Sequence, residues 1–541
     1  MTDSCNVLMI YPKFNPKSFW SFDGACEMLG ARYPAAPLGM ITLAALLPSS
    51  WTVRLVNRNT EETPAELAWA DMVMTGGMLA QRIDALKVIA LAQRSGKTVI
   101  VGGPDVTSSP QAYAAAEIRV LGEAETIIDE FVAAWDRGER SGLFEGPKFQ
   151  ADITKTPIPR FDLLKRSDYL YLGVQFSRGC PFMCEFCDII ELYGRVPRTK
   201  TSAQMLAELD VLYEIGWRGH LDFVDDNLIG NKKAVKAFLP DLIAWQKRHD
   251  YPFLFTTEAS INLADDLELM RLMHEANFHA VFVGIESPEE ATLVHMQKKQ
   301  NTRRSIPESI HRIYEAGLIV AAGFIVGFDT EKGSVANAMV RCVEDAMIPI
   351  ANISLLYALA GTQLTRRLER EGRLYADYEM DEKGNAGDYA LAGLNFDTVR
   401  PRREILGDFA AVLSAVYEPN AFFGRVRRMA LALKPMDLGL RIRLREAWRE
   451  IDRLFAILWH VTRYRPEMRR HVWRVLGECA IKNPLALRAV VAMSHFYIFL
   501  GPLSRLMVER AQARIAEIDA ENARGPGPSQ PAPVSIAATA A

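Results

Sequence analysis

Over roughly the first 135 residues short apolar runs alternate with helix-like stretches, NVLMIYP, PLGMITLAALLP, TVRLVN, ADMVMTGG, ALKVIALAQRSG, KTVIVGGP and EIRVLGE in that order. Short runs bounded by Gly and Pro read as buried strands and the longer ones as crossover helices, so residues 1–137 are predicted to form a doubly wound, Rossmann-like α/β sheet. Ligands of such sheets bind at the carboxyl ends of the strands, which here carry Tyr11, Pro12, Thr75, Gly76, Gly102, Gly103, Pro104, Gly122 and Glu123. Glycine at a strand end lets a ligand approach the backbone, and an ordinary turn explains any single one equally well.

Residues 138–167 are rich in Gly, Pro and charge and lack periodicity, as a linker does. A second array follows over 168–370: YLGVQFSRG, HLDFVDDN, FLFTTEAS, AVFVGIES, VAAGFIVGFD and ANISLLYALA read as strands, each but the last followed by a helix-like stretch. Six units are too few for a closed eight-stranded barrel, so a partial (β/α)6 barrel with its active face at the strand C-termini is expected. Residues 371–520 read as a helical, Arg-rich domain containing Trp448, Trp459 and Trp473, and 521–541 as a low-complexity, disordered tail.

Composition narrows the classes. Of 541 residues 49% are hydrophobic and 24% charged, with a formal net charge of -3, which excludes a disordered chain and a globally basic nucleic-acid binder. Charge is unevenly placed, since 18 Lys or Arg stand against 7 Asp or Glu between Arg425 and Arg510. The N-terminus lacks the basic flank and apolar run of a signal peptide, so a cytoplasmic location is expected. Among 7 cysteines, Cys5, Cys26, Cys342 and Cys479 are scattered and read as small buried hydrophobes.

Cys180, Cys184 and Cys187 are different: they form C-x3-C-x2-C directly after the first strand of the second array. A cubane iron-sulfur cluster is ordinarily held by four thiolates, and three leave one iron open to a ligand. Zinc would want a fourth Cys or His nearby, and none stands within thirty residues of the loop.

This loop resembles the signature of the radical S-adenosylmethionine (SAM) superfamily. The resemblance implies a [4Fe-4S] cluster whose open iron chelates SAM, a flavodoxin- or ferredoxin-like electron donor, and cleavage of SAM to a 5'-deoxyadenosyl radical. By the same resemblance Phe186, between the last two cysteines, and Asp225, Asp226, Glu258, Glu286 and Gly327 at successive strand ends are SAM contacts. Any one of those acids could instead be solvated or paired. Whether Tyr193, Arg195 and Arg198 touch substrate or brace the loop is open at this level.

The doubly wound domain ahead of the barrel, with PLGMITLAALLP, GGPDVTSSP and LGEAE, resembles the cobalamin-binding class of that superfamily. CDIIELYGRVPRTKT, HLDFVDDNLIGNKKA, FVGIES and AVYEPNAFF look like hopanoid C-2 methylases and their relatives up to about residue 430. There is no histidine before His220, so the D-x-H-x-x-G cobalamin loop is absent and cobalamin would be base-off without histidine from this domain.

The basic helices, their tryptophans and the apolar stretch 485–503 suggest contact with a membrane surface and a hydrophobic or lipid substrate. Arg488, His495 and Gly501-Pro502 argue against a spanning helix, and a basic cap packed on the acidic remainder of the chain is the equal alternative. Nucleic acid is not expected as a partner, because a radical SAM enzyme that modifies RNA would carry an N-terminal domain of a different kind and a basic RNA-binding appendage. The reading is a cobalamin-dependent radical SAM methyltransferase acting on an unactivated carbon of a hydrophobic, hopanoid or other isoprenoid substrate. Its rivals are radical cyclisation, rearrangement or oxidation without methyl transfer, and a non-catalytic iron-sulfur redox or scaffold protein.

Overall fold

The structure, a computed structural model, describes residues 4–15, 18–19, 21–22, 25–62, 65–375, 393–435 and 444–523. The predicted tail beyond residue 523 and the side chain of Trp448 lie outside the described residues. Strands β1 (Asn6–Tyr11), β2 (Tyr33–Ala35), β3 (Thr52–Asn57), β4 (Met72–Gly76), β5 (Thr98–Gly102), β6 (Ile118–Leu121) and β7 (Gly142–Glu145) come first. Six of them form one parallel sheet in the order β3-β1-β4-β5-β6-β7. Both faces are covered: Val7, Met9 and Met72 pack into one core and Leu8, Ile10 and Val73 into another, which is why these strands read as unbroken apolar runs. The chain leaves β1 toward β3 on one side and later takes β4 on the other. The switch point therefore falls between β1 and β4, at Tyr11, Pro12, Thr75 and Gly76.

Two pieces depart from the sequence reading. β7 lies inside the segment read as a linker and extends the first sheet, Phe144 being its one buried residue. β2 lies within the first 137 residues yet pairs with the second sheet, Tyr33 against Tyr169 and Ala35 against Tyr171. Three residues with a central proline carry no periodicity, and Pro34, lacking an N–H, is tolerated because β2 is an edge.

The second sheet comprises β8 (Tyr169–Val174), β11 (Gly219–Phe223), β12 (Phe253–Ala259), β13 (Phe278–Glu286), β14 (Ile319–Val326) and β15 (Ile350–Leu355). These are the six predicted strands, parallel, in sequence order and curled into a half-barrel with β2 added outside β8. Between β8 and β11 a short antiparallel pair, β9 (Ser177–Arg178) with β10 (Arg198–Thr199), brackets the cysteine loop.

Helices Arg402–Val416, Pro419–Ala432, Leu444–Tyr464, Pro466–Lys482 and Leu487–Ala523 follow, and their apolar faces share one continuous core with the half-barrel. Arg425, 0% exposed, fastens the two: its guanidinium donates to the carbonyls of Ile348 (2.7 Å) and Val416 (2.5 Å) and pairs with Glu344. Helix Leu487–Ala523 is long and apolar enough to cross a membrane by composition. Here Val490, Tyr497 and Leu500 are instead buried in that core, the Tyr497 hydroxyl donating to the Tyr417 carbonyl at 2.8 Å.

Candidate active site

The cysteine loop sits at the C-terminal end of the half-barrel, where the chain leaves β8. Its entry is held from β11. Asp225 accepts from the Phe176 N–H (3.0 Å), the Ser177 N–H and the Ser177 hydroxyl (2.5 Å), and Asp226 accepts from the Gly179 N–H (2.9 Å). Burial raises both carboxyls, Asp225 to about 7 and Asp226 to about 6, against the pull of those donors. Gly179 has φ +97°, and a Cβ there would lie 3.0 Å from the Gly194 carbonyl, so the turn needs glycine.

The three thiols are unpaired with any other cysteine. Amide groups face two of them, Asn227 Nδ2 at 3.9 Å from the Cys180 sulfur and Gln300 Nε2 at 3.9 Å from that of Cys184. Burial pushes the Cys180 and Cys187 thiols up, so thiolates here call for a cationic partner. Among the described residues no three His, Cys, Asp or Glu side chains converge on a single ion position. Three free thiols in one loop match the donor set of a cubane with one iron left open.

The other strand ends divide. Glu286 closes β13 with φ +66° at a register shift against β14, a strained conformation for a non-glycine residue. It is buried and paired with Lys298 at 2.5 Å, and that lysine lies 5.8 Å from the ring of Phe186. Gly284 leaves room for the pair, since a Cβ there would lie 2.3 Å from Glu286 Oε1. Glu258, at the end of β12, has one carboxyl oxygen buried without a partner, and burial and then Asp222 hold its pKa well up. Gly327 is turned elsewhere: φ is +110°, its N–H donates to Glu331 at 2.9 Å, and a Cβ would lie 2.7 Å from Leu394.

The strand ends of the first sheet lie together as expected, but much of their chemistry is internal. Thr75 donates to the Ile10 carbonyl (2.9 Å), and the Pro12 carbonyl accepts from Gln81 (2.7 Å) and Asn59 (3.1 Å). Gly76, at φ +152°, abuts the next strand so closely that a Cβ would lie 1.8 Å from the Gly102 carbonyl oxygen. Gly103 (φ +103°) and Gly122 (φ +89°) continue this backbone edge, and Pro104 opens the short helix Pro104–Ser108 that packs on the turn Ile189–Leu192 after the cysteines. Glu123 is buried in an ion-pair cluster with the cysteine loop's flanks. Arg178 reaches Glu123 at 3.1 Å and Glu125 at 2.7 Å, and Arg198 reaches Glu123 at 2.8 Å and the carbonyls of Ala151 and Tyr193 at 2.9 and 3.0 Å. Arg198 thus braces the loop. Large apolar side chains stay uncovered at the ends of both sheets, Met78 just after β4 at 47% and Val224 just after β11 at 36%.

Residues 174–341 match the radical SAM superfamily, and residues 362–513 match a domain of unknown function. The chain is 47% identical over 431 residues, 79% of each protein, to an uncharacterized methyltransferase of Synechocystis sp.. It is 36% identical over 430 residues, 78% of this chain and 79% of the other, to the hopanoid C-2 methylase of Rhodopseudomonas palustris. The chain belongs to the radical SAM methyltransferase family of these two proteins. The family fold extends further. TsrM of Kitasatospora setae, solved with cobalamin and a [4Fe-4S] cluster, superposes with a TM-score of 0.60 at 15% identity, covering 84% of this chain and 99% of its own. The cobalamin-dependent radical enzyme OxsB superposes with a TM-score of 0.57 at 15% identity, covering 97% and 81%.

In this radical SAM methyltransferase several site residues escaped the sequence reading. Lys298, Gln300 and Asn227 reach the cluster region from loops with no motif of their own, and only the fold brings them there. Arg178 and Glu125 had a weak signal: a charge next to the cysteine motif and a second acid two residues after Glu123.

Proposed function

We propose that this enzyme transfers a methyl group from SAM to an unactivated carbon of a hydrophobic, isoprenoid-type substrate, using cobalamin as intermediate carrier. The observation that supports it is the meeting of two strand-end faces. The thiol loop on the half-barrel and the glycine edge of the first sheet are joined by the Arg178/Arg198–Glu123/Glu125 ion pairs. When bound, the cluster and SAM supply a radical that takes hydrogen from the substrate, and the corrinoid supplies the methyl group.

The chain's own residues then have separable tasks. Cys180, Cys184 and Cys187 hold the irons, with Asn227 and Gln300 donating to thiolate sulfur. Asp225 commits both carboxyl oxygens to the loop, and Asp226 holds the Gly179 N–H with one oxygen and keeps the other open. The Glu286–Lys298 pair next to Phe186 offers a carboxylate to the SAM ribose and an ammonium toward the carboxylate end of SAM. The backbone edge at Tyr11, Pro12, Gly76, Gly102, Gly103, Pro104 and Gly122, with the uncovered Met78, would carry the flat apolar corrinoid. The half-barrel excludes water from the radical.

A flavodoxin- or ferredoxin-like protein would deliver the electron. Membrane contact belongs to the same reading. Phe455 and Trp459 are stacked at 6.1 Å and 66% and 57% exposed, and Tyr464, Trp473 and Ile481 are 61%, 48% and 84% exposed. The exposed Arg463, Arg469, Arg470 and Arg474 lie among them, the pattern of an interfacial face on anionic lipid. Sedimentation with phosphatidylglycerol vesicles, weakened by Trp459→Ser and absent with phosphatidylcholine, is the expected behaviour.

The test is chemical. Protein purified anaerobically from cobalamin-supplied cells, reconstituted, and given SAM and dithionite should hold about four irons and one corrinoid. In the presence of substrate it should form S-adenosylhomocysteine together with 5'-deoxyadenosine. Deoxyadenosine without S-adenosylhomocysteine would favour cyclisation or oxidation; neither product would favour a non-catalytic role.

A further inference from the structure

The interior of the half-barrel carries a polar layer that the cofactors do not explain. Alternate residues of β11 and β12 face outward: Phe223 packs on Phe238 of the helix Lys232–Arg248 at 6.2 Å, and Phe253 on Trp245 of the same helix at 5.4 Å. The intervening residues therefore face the concave side. They are His220 and Asp222 on β11 and Thr256 and Glu258 on β12, Asp222 standing opposite Thr256, with Tyr171 beside His220 on β8 and His279 on β13.

These groups form a chain of hydrogen bonds with open ends. The Thr256 hydroxyl donates to Asp222, so it accepts from His220 Nε2 at 2.7 Å, which leaves His220 Nδ1 as a bare acceptor. His279 donates through Nδ1 to the Phe255 carbonyl at 2.8 Å and keeps Nε2 bare. One oxygen of Glu258 is buried without a partner. The ring of Tyr171 lies 4.8 Å from that of His220. Leaving the buried Glu258 oxygen unpaired is unfavourable unless something else binds it, and the half-buried imidazoles beside it offer further open positions.

Burial also disfavours charge in the layer. Burial raises Asp222 and Glu258, which then oppose each other's ionisation, and raises Tyr171. Burial, followed by the charge of Arg488 on the helix Leu487–Ala523, lowers His220 to about 4, and burial, followed by His220 and then Arg488, pushes His279 well down. Acids and imidazoles that resist ionisation offer donors and acceptors in turn, a setting that favours an uncharged partner. Strands rise about 3.3 Å per residue, so Asp222 and Glu258, each one residue before the last of its strand, form the upper edge of the layer and His220 lies about 7 Å deeper.

We propose that this layer, which runs down the concave face from just below the strand ends, seats an uncharged hydroxyl-bearing group of the substrate. This rests on the hydrophobic-substrate reading above and sharpens it. The substrate is a mainly apolar molecule with a hydroxyl at one end, entering the barrel polar end first and presenting an apolar carbon to the cofactors.

The test uses the reconstituted holoenzyme and matched probes in detergent micelles. They are a triterpenoid alcohol, a sterol and a long-chain isoprenoid alcohol, each with the hydrocarbon made by removing its hydroxyl and the amine made by replacing it. Each alcohol that binds should do so on the order of ten-fold more tightly than its hydrocarbon, because the layer is left unpaired without it. Tyr171→Phe and Thr256→Val should bring that ratio toward one, a change that general loosening of the fold, which weakens both members alike, does not produce. Glu258→Gln, which keeps hydrogen bonding, should preserve much of it. Equal affinity of alcohol and hydrocarbon, tighter binding of the amines, or binding of no alcohol at all would each overturn the assignment. Formation of both SAM products without alcohol binding would retain the methyl-transfer reading and reject this one.

Discussion

At the mouth of the half-barrel the strand ends present side chains: three thiols, the Glu286–Lys298 pair and the half-satisfied Glu258. At the end of the first sheet they present backbone, with Gly76 pressed on Gly102, Thr75 bonded to Ile10, and Glu123 committed to ion pairs with the neighbouring domain. A face that does covalent and redox chemistry needs particular atoms at particular places, whereas a face that carries a large flat ligand needs smooth packing. Substitutions should therefore act differently on the two sides.

The largest effect is expected at the thiols. Cys184→Ala should remove iron and with it all reductive SAM cleavage, while corrinoid bound to the other face stays; iron and corrinoid assayed on one sample check this. Next comes the backbone face. Gly76→Ala, forcing a Cβ against a backbone oxygen at positive φ, should destabilise the protein by about 3 kcal/mol or more and lower corrinoid occupancy, read by thermal unfolding and by absorbance. Gly138, also at positive φ but with nothing within 4 Å of its Cβ position, should tolerate alanine far better.

A smaller loss follows at Lys298. Lys298→Met leaves Glu286 buried without its cation, and SAM affinity should fall about ten-fold with iron unchanged, measured by equilibrium dialysis. The smallest effect is a slope in pH. Asp225 is raised to about 7 when folded and titrates near 3.9 when unfolded, so the native state holds the extra proton between these values. Stability should then decline as pH rises from about 4 to about 7 and level off above. Asp225→Asn should flatten that slope, compared by urea midpoints at pH 5 and pH 7.5, with a residue left by Asp226, raised to about 6 with the same sign.

What could be read from sequence follows the same division. Six half-barrel strands, five strands of the first sheet and the cysteine loop were visible because apolar runs and a three-thiol spacing each have one dominant physical reading. β2 was not, being three residues whose pairing partner lies more than a hundred positions away. Glycines were ambiguous for a reason the structure makes plain: Gly76 is required by Gly102, so its presence says nothing by itself about a ligand. Strand-end acids were ambiguous too. Glu286 pairs with Lys298 from the loop after β13, Asp225 and Asp226 hold backbone, and Glu123 holds a domain, a sorting that depends on which N–H or cation the fold delivers.

The buried ion pairs are expected to hold the two faces in register for methyl transfer. The most direct measurement is the pair of SAM products from Glu123→Gln, which leaves the thiol loop's own residues intact but takes one carboxylate from Arg178 and Arg198. With iron content confirmed, 5'-deoxyadenosine should persist while S-adenosylhomocysteine and methylated product fall. Parallel loss of both products, or no change in their ratio, would contradict the account.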